Sequence, residues 1–308
     1  MIQRLTNIDI IKFLSIIIMV IDHMILTSID QTANVAQVVF FTFVPLCQMG
    51  FLFSSGYLMA YSFNKQKFNK YIYRIALFVI LFILMTVLSG EKFIASGSIL
   101  LNFAISIAIS LFFLYRDKVK DLFNFVIILF GLNILFQLFT MNGITVLNDI
   151  MANYPYPVNS FSLYFFMGVI LFSYKNEVRT WFKGVLPTLI TTILLIGYPF
   201  IYAYGIYINK YSFYQHLPLL ILASAFIGLY FFYKWENVKI PNIIHKPIIK
   251  IADALLYIYV IHYIALFGFI KDYNLPWWLL IITVILIIIL SIYLKKVVYY
   301  IKKLYLKV

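Results

Sequence analysis

A long apolar run near the start of the chain, residues 8–24, contains four side chains that could do chemistry: Asp9, Lys12, Asp22 and His23. A charge inside a membrane span costs about 3 kcal/mol or more, so such residues usually mark functional sites. A carboxylate can hold an imidazole in one tautomer and raise its basicity, as a general base acting on a hydroxyl requires. The run therefore predicts His23 as a base and Asp22 as its orienting carboxylate. Because adjacent residues on a helix point apart, a pairing of Asp22 with another helix stays open.

A helix over residues 8–27 would bring the basic residue and the histidine onto one face. Lys12 and His23 are eleven residues apart, which corresponds to three turns plus about 20° and to about 16 Å along the axis. Asp9 shares this stripe. The spacing predicts one functional face, with Lys12 nearer one membrane surface and His23 further toward the other.

The composition indicates an integral membrane protein. Of the 308 residues, 64% are hydrophobic and 11% are charged, whereas soluble globular domains are about 25% charged. Ten apolar segments approach the length needed to cross a hydrocarbon core about 30 Å thick. They are residues 8–27, 36–62, 71–89, 97–115, 121–140, 159–174, 185–205, 216–234, 251–270 and 276–295.

The basic residues between these segments predict the orientation. If the N-terminus is cytoplasmic, only Lys92, Lys210 and Lys271 of the 24 Lys and Arg residues fall outside. The positive-inside rule therefore favours ten spans with both termini in the cytoplasm. The net charge of +13 then reflects topology, and no nucleic-acid partner is expected. We expect one all-α, multi-pass domain over residues 1–308 in the plasma membrane.

Three further features could serve binding or only packing and topology. Ser55 and Gly56, inside an apolar run, allow close helix approach. The basic stretch Lys65–Arg74 could bind the phosphates of a nucleotide-like donor at the cytoplasmic face. The long outer loop, residues 141–158, contains Asn and Tyr-Pro pairs that suit sugar contacts or the membrane interface. The sequence contains no P-loop and no Gly-x-Ser-x-Gly elbow. It contains no zinc-ligand set either, so no metal site is predicted.

The motifs taken together resemble the acyltransferase-3 family of membrane acyltransferases. That family has a basic residue, ten residues and then a histidine in its first span, as Lys12 and His23 have here. The stretch MGFLFSSGYL, residues 49–58, is similar to its second-span motif, and LLYIYVIH, residues 255–262, is similar to its late-span motif. Arg74 matches one of the paired arginines before the third span, but Tyr71 stands at the other place.

The resemblance implies transfer of an acyl group, which we expect to be acetyl. The donor would be cytoplasmic acyl-CoA, bound as a substrate and not as a permanent cofactor. The acceptor would be a hydroxyl of a cell-surface or lipid-linked saccharide, with a separate transfer partner or a homo-oligomer as a further expectation. The implied roles are catalysis by His23 and Asp22, donor binding by Lys12, Lys70, Arg74 and Ser55, and acceptor binding by Tyr259 and His262.

The sequence leaves several alternatives open. An aspartate directly before the histidine is more similar to related enzymes that acetylate pilin, which implies a peptide or protein amine as acceptor. Intramembrane charges also line transport paths, so a flippase for a polyprenyl-linked saccharide is a second reading. A non-catalytic membrane protein is a third. Within the enzyme reading, His23 is either a general base or a carrier of the acyl group.

Overall fold

The computed structural model describes residues 5–28, 44–89, 94–141, 158–208, 218–236, 238, 240–265 and 276–306. Within these residues the chain forms twelve α-helices, one short 3-10 helix at Lys65–Lys67 and no strand, which confirms the all-α prediction there. The helices are α1 Thr6–Ser28, α2 Val44–Tyr61, α3 Phe68–Ser89, α4 Ile94–Tyr115, α5 Val119–Met141, α6 Val158–Ser173, α7 Lys175–Phe182, α8 Val185–Ile208, α9 Pro218–Lys234, α10 Asn242–Asp253, α11 Leu255–Tyr263 and α12 Trp277–Leu306.

The apolar helices identify a membrane protein. Among the described residues, two helical stretches are long and apolar enough to cross a bilayer, Lys65–Val87 and Trp278–Ile301. The pair Lys175–Phe182 and Val185–Tyr198 passes the same test together, but it is bent by 73°. Shorter apolar helices occupy Ile99–Tyr115, Ser162–Ser173 and Ile221–Lys234. Each of the ten predicted segments contains a helix, whereas the number of crossings and the cytoplasmic termini stay predictions.

The chain divides into two compact units. The first contains α2 from Gln48 onward through α9, and the second contains α1 and α10 to α12. In the first unit, α3 packs on α4, α6 packs on both α4 and α5, and α8 packs on α9. In the second unit, α1 contacts α10, α11 and α12, and α11 packs on α12.

Two glycines bring α2 and α6 into direct backbone contact within the first unit. A Cβ atom at Gly56 would collide with the carbonyl group of Phe165, and one at Gly168 would collide with the carbonyl group of Phe53. Each helix therefore places a glycine against the backbone of the other. Small residues allow such close approach between membrane helices, so the packing interpretation of Gly56 is supported by the structure.

Two helices lie in segments that we predicted only as basic connections. Residues 175–183 contain α7, and residues 234–250 contain most of α10. On α10, Ile248 and Ala252 are buried while Ile243 and Ile244 are exposed, so this helix has one packed side. The predicted ninth span, residues 251–270, is not one continuous helix. It begins inside α10 and is interrupted at the buried Ala254, whose φ of −91° and ψ of 5° are not helical.

Candidate active site

Helix α1 positions the first set of predicted residues. It runs without interruption from Thr6 to Ser28, so Lys12 and His23 lie on one helix, as the sequence predicted. Asp9 and His23 are buried, and Lys12 is half-buried. Asp22 also belongs to α1, but its side chain lies outside the described part of the structure. Its predicted role as an orienting carboxylate stays a prediction.

A histidine pair joins α1 to α11. The Nδ1 atom of His23 lies 2.8 Å from the Nε2 atom of His262. The ring planes differ by 12°, and the ring centroids are 5.1 Å apart. The distance between the centroids is longer than the distance between the two nitrogens by about two imidazole ring radii, one for each ring. The two nitrogens therefore lie close to the line between the centroids, and the hydrogen bond runs in the plane of both rings.

His262 makes a second hydrogen bond to the backbone of its own helix. Its Nδ1 atom lies 2.8 Å from the carbonyl oxygen of Ile258, four residues earlier in α11. His262 is 0% exposed and His23 is 7% exposed. Both ring nitrogens of His262 are thus engaged inside the protein, one by α1 and one by α11.

Two tyrosines of α11 surround the histidine pair. The ring of Tyr263 stands nearly perpendicular to that of His23, with centroids 5.8 Å apart. The ring of Tyr259 makes a similar edge contact with His262 at 5.6 Å. Both tyrosines are buried. The structure therefore brings three predicted residues together, His23, His262 and Tyr259, and it adds Tyr263, which the sequence analysis did not single out.

The predicted donor-binding residues Lys70 and Arg74 belong to the first unit and lie on the first turns of α3. Lys70 is exposed, and Arg74 is half-buried, with its guanidinium 5.8 Å from the ring centroid of Tyr71. Tyr71 is buried, and its hydroxyl donates a hydrogen bond of 2.8 Å to the carbonyl of Ser62. Tyr71, which stands at the position of the second arginine of the family motif, thus links the start of α3 to the end of α2.

Ser55, the remaining predicted donor-binding residue, is half-buried on α2. Its hydroxyl donates to the carbonyl of Phe51 at 2.8 Å, and the fully buried Ser54 donates to the same carbonyl at 3.2 Å. Hydrogen bonds of this kind satisfy a hydroxyl within its own helix. Contact between Ser55 and a donor stays a prediction.

Residues 142–157 of the predicted outer loop lie outside the described residues. The sequence contains two further histidines: His216 also lies outside the described residues, and His245 lies on α10. Within the described ranges, no three His, Cys, Asp or Glu side chains come together as a metal site. A buried imidazole pair between two helices can accept and return a proton, which is the chemistry of a general base.

Comparison with known families identifies an acyltransferase domain in this chain. The sequence profile of the acyltransferase-3 family, described as an acyltransferase domain, matches residues 93–296. The matched range includes Tyr259 and His262 and begins after Lys12, His23, Ser55, Lys70 and Arg74. Comparisons with curated proteins and with solved structures gave no match.

Proposed function

The chain belongs to the acyltransferase-3 family, and we propose that it transfers an acetyl group from cytoplasmic acetyl-CoA to a hydroxyl of a cell-surface or lipid-linked saccharide. The observation that carries the proposal is the His23–His262 pair, which provides a buried base in a chain whose family performs acyl transfer. The enzyme acts as a multi-pass protein of the plasma membrane with both termini in the cytoplasm. The distribution of Lys and Arg supports this orientation.

His23 is the general base in this mechanism. It takes the proton of the acceptor hydroxyl while the hydroxyl oxygen bonds to the carbonyl carbon of the thioester. The carbon–sulfur bond then breaks, and the proton passes from His23 to the thiolate of coenzyme A. The products are an O-acetyl ester and the free thiol, and His23 returns to its neutral state. Burial of the pair supports this role, because a site that excludes water limits hydrolysis of the thioester.

The donor binds through its phosphates at the cytoplasmic end. Lys70 and Arg74 on α3 provide positive charge at the start of a helix that is long enough to span the membrane. Lys12 adds a cation on α1, about 16 Å along the helix axis from His23. A separation of this size suits the long pantetheine arm, with the phosphates at one end and the thioester at the base. Ser55 is proposed to contact the same donor.

The acceptor reaches His23 from the outer side of the membrane. Tyr259 is proposed to contact the saccharide, because tyrosine combines an apolar ring with a hydroxyl that can hydrogen-bond to sugar. A lipid-linked saccharide would reach the site through the bilayer. A polymer at the cell surface would receive the group directly, or through a separate transfer partner or a second copy of the chain.

The test is acetyl transfer by the purified protein in liposomes. We expect radiolabel from acetyl-CoA to pass to a saccharide acceptor and to be released by mild alkali, which cleaves esters and spares amides. Protein-free liposomes are the control. Label in an alkali-stable amide would indicate that the acceptor is a peptide or protein amine. Absence of any transfer, together with translocation of a polyprenyl-linked saccharide by the same vesicles, would contradict the enzyme and favour the flippase.

A second measurement tests the donor site. Arg74→Ala should raise the KM for acetyl-CoA about tenfold, because a charge-assisted contact to phosphate is lost. Lys118→Ala is the matched control, since Lys118 is also basic and exposed but pairs with Asp121 on α5. An unchanged KM in Arg74→Ala would show that the donor phosphates do not bind at this end of α3.

A further inference from the structure

We propose that His262 is a positioning residue, which holds His23 in the tautomer that carries its lone pair on Nε2. The inference rests on the proposed function in one respect, since it takes His23 as the base. It replaces the acceptor-binding role that the family resemblance implied for His262.

The backbone of α11 determines the tautomer of His262. A carbonyl oxygen can only accept a hydrogen bond, so the contact of 2.8 Å between Ile258 and His262 requires a proton on Nδ1 of His262. A neutral imidazole carries one N–H, and its other nitrogen is then an acceptor. The helix that contains His262 therefore fixes its tautomer and makes its Nε2 atom an acceptor.

The tautomer of His262 in turn determines the tautomer of His23 on α1. Because Nε2 of neutral His262 accepts, the Nδ1 atom of His23 at 2.8 Å must be the donor. This assignment follows from the hydrogen-bond network, as histidine protonation generally does. Neutral His23 then has its single N–H on Nδ1 and its lone pair on Nε2. A general base needs a lone pair of this kind directed at the hydroxyl proton.

The hydrogen bond between the two histidines has a fixed direction, with His23 as the donor and His262 as the acceptor. When Nε2 of His23 takes the hydroxyl proton, the resulting imidazolium still donates from Nδ1 to His262, and the bond becomes charge-assisted and stronger. Two imidazolium rings could not face each other here, because two N–H groups would meet. The pair therefore holds one extra proton, which leaves from Nε2 of His23 to the coenzyme A thiolate.

The same geometry argues against an acceptor-binding role for His262. Its two ring nitrogens are already engaged by His23 and Ile258. Tyr259 and Tyr263 stand against its ring at centroid distances of 5.6 and 5.8 Å. These edge contacts restrict rotation of the imidazole and keep Nε2 directed at α1.

The first experiment observes the tautomers directly and does not depend on transfer. Nitrogen NMR of the wild-type protein, labelled at histidine and embedded in liposomes, distinguishes protonated from bare ring nitrogens. The resonances are assigned with His216→Gln, His245→Gln and His262→Gln, which leaves those of His23, the fourth histidine of the sequence. We expect both His23 and His262 to carry the proton on Nδ1. A proton on Nε2 of neutral His23 would overturn the inference, whatever the acceptor of the enzyme proves to be.

The second experiment is kinetic. His262→Phe keeps a ring of similar size and removes both nitrogens, whereas His262→Gln offers an amide oxygen near the place of Nε2. We expect His262→Phe to lower kcat about 10- to 100-fold with both KM values unchanged, since loss of an orienting acceptor disturbs the tautomer of a catalytic histidine. His262→Gln should recover part of the loss, and His245→Phe is the matched control.

Two kinetic outcomes would contradict the role. Wild-type kcat in His262→Phe would show that the tautomer needs no partner. A raised KM for the saccharide with unchanged kcat would show that His262 binds the acceptor. If His262→Phe does not fold, the kcat of His262→Gln relative to the wild type and the NMR of the wild-type protein still decide the question. Failure of the proposed function would appear separately, as absence of acetyl transfer by a wild-type protein with the expected tautomers.

Discussion

The two units of the chain bury polar groups in different ways. In the first unit, hydroxyls join neighbouring helices: Ser106 donates to Ser162 at 2.9 Å, and Tyr164 and Ser224 share a hydrogen bond of 2.7 Å. In the second unit, two imidazoles join α1 to α11. A hydroxyl pair stays neutral and only holds helices together, whereas an imidazole pair can also take up a proton. Under the proposed function, these buried polar pairs hold helices together in the first unit, and the buried imidazole pair takes part in proton transfer in the second.

The largest expected effect is on the imidazole pair. His23→Ala should reduce acetyl transfer by about 10²- to 10⁴-fold, because the general base is lost. Its thermal unfolding temperature in detergent should change much less than its activity. The measurement is kcat in liposomes beside a melting curve of the same preparation. A variant that retains transfer would show that the second unit does not supply the base.

The next effect concerns the helix crossing in the first unit. Gly168→Ala should destabilise the protein by about 1–3 kcal/mol, because the new methyl group meets the backbone of α2 and forces the helices apart. Gly131→Ala on α5 is the matched control, since nothing lies within 4 Å of an added Cβ there. The control should be neutral or slightly stabilising, by up to about 1 kcal/mol. Equal melting temperatures for the two variants would contradict the close crossing.

A smaller effect is expected at the hydroxyl pairs. Tyr164→Phe removes the hydrogen bond to Ser224 and should lower stability by about 0.6 kcal/mol, as hydrogen bonds between membrane helices do on average. The kcat should stay near the wild-type value, which separates this pair from the histidine pair. A large loss of kcat with unchanged stability would mean that the first unit also contributes to the chemistry.

The smallest effect is expected at the surface. Lys65 and Asp117 form an ion pair between exposed side chains. Lys65→Gln should change stability by no more than about 1 kcal/mol, and added salt should abolish the difference because exposed charges are screened. The check is a pair of melting curves at low and high ionic strength. A larger, salt-independent loss would show that this contact is more than a surface pair.

Local sequence patterns predicted part of this arrangement. The spacing of Lys12 and His23 predicted a shared helix, and the pair Ser55–Gly56 predicted close helix approach, because both depend on periodicity within one segment. The partner of His23 could not be predicted in this way. It lies 239 positions further along the chain, and such contacts depend on which helices pack together.

The missed helices have a physical reason as well. Residues 175–183 and 234–250 are short, basic and less apolar than the neighbouring segments, so the hydropathy pattern marked them as connections. Their helical character depends on one packed side, such as Ile248 and Ala252 on α10, which a search for continuous apolar runs does not detect. A search for helical periodicity within the basic segments could have found them.

The uninterrupted course of α1 has a consequence for changes in chain length. One residue inserted between Lys12 and His23 would turn the imidazole by about 100° around the helix axis and away from α11. An insertion of seven residues would restore the direction but move the imidazole about 10 Å further along the axis. Because His262 is held within α11 and α1 also packs on α10, an insertion or deletion in this segment would disturb either the hydrogen bond or the helix packing. The length of the segment between Lys12 and His23 is therefore constrained by both contacts.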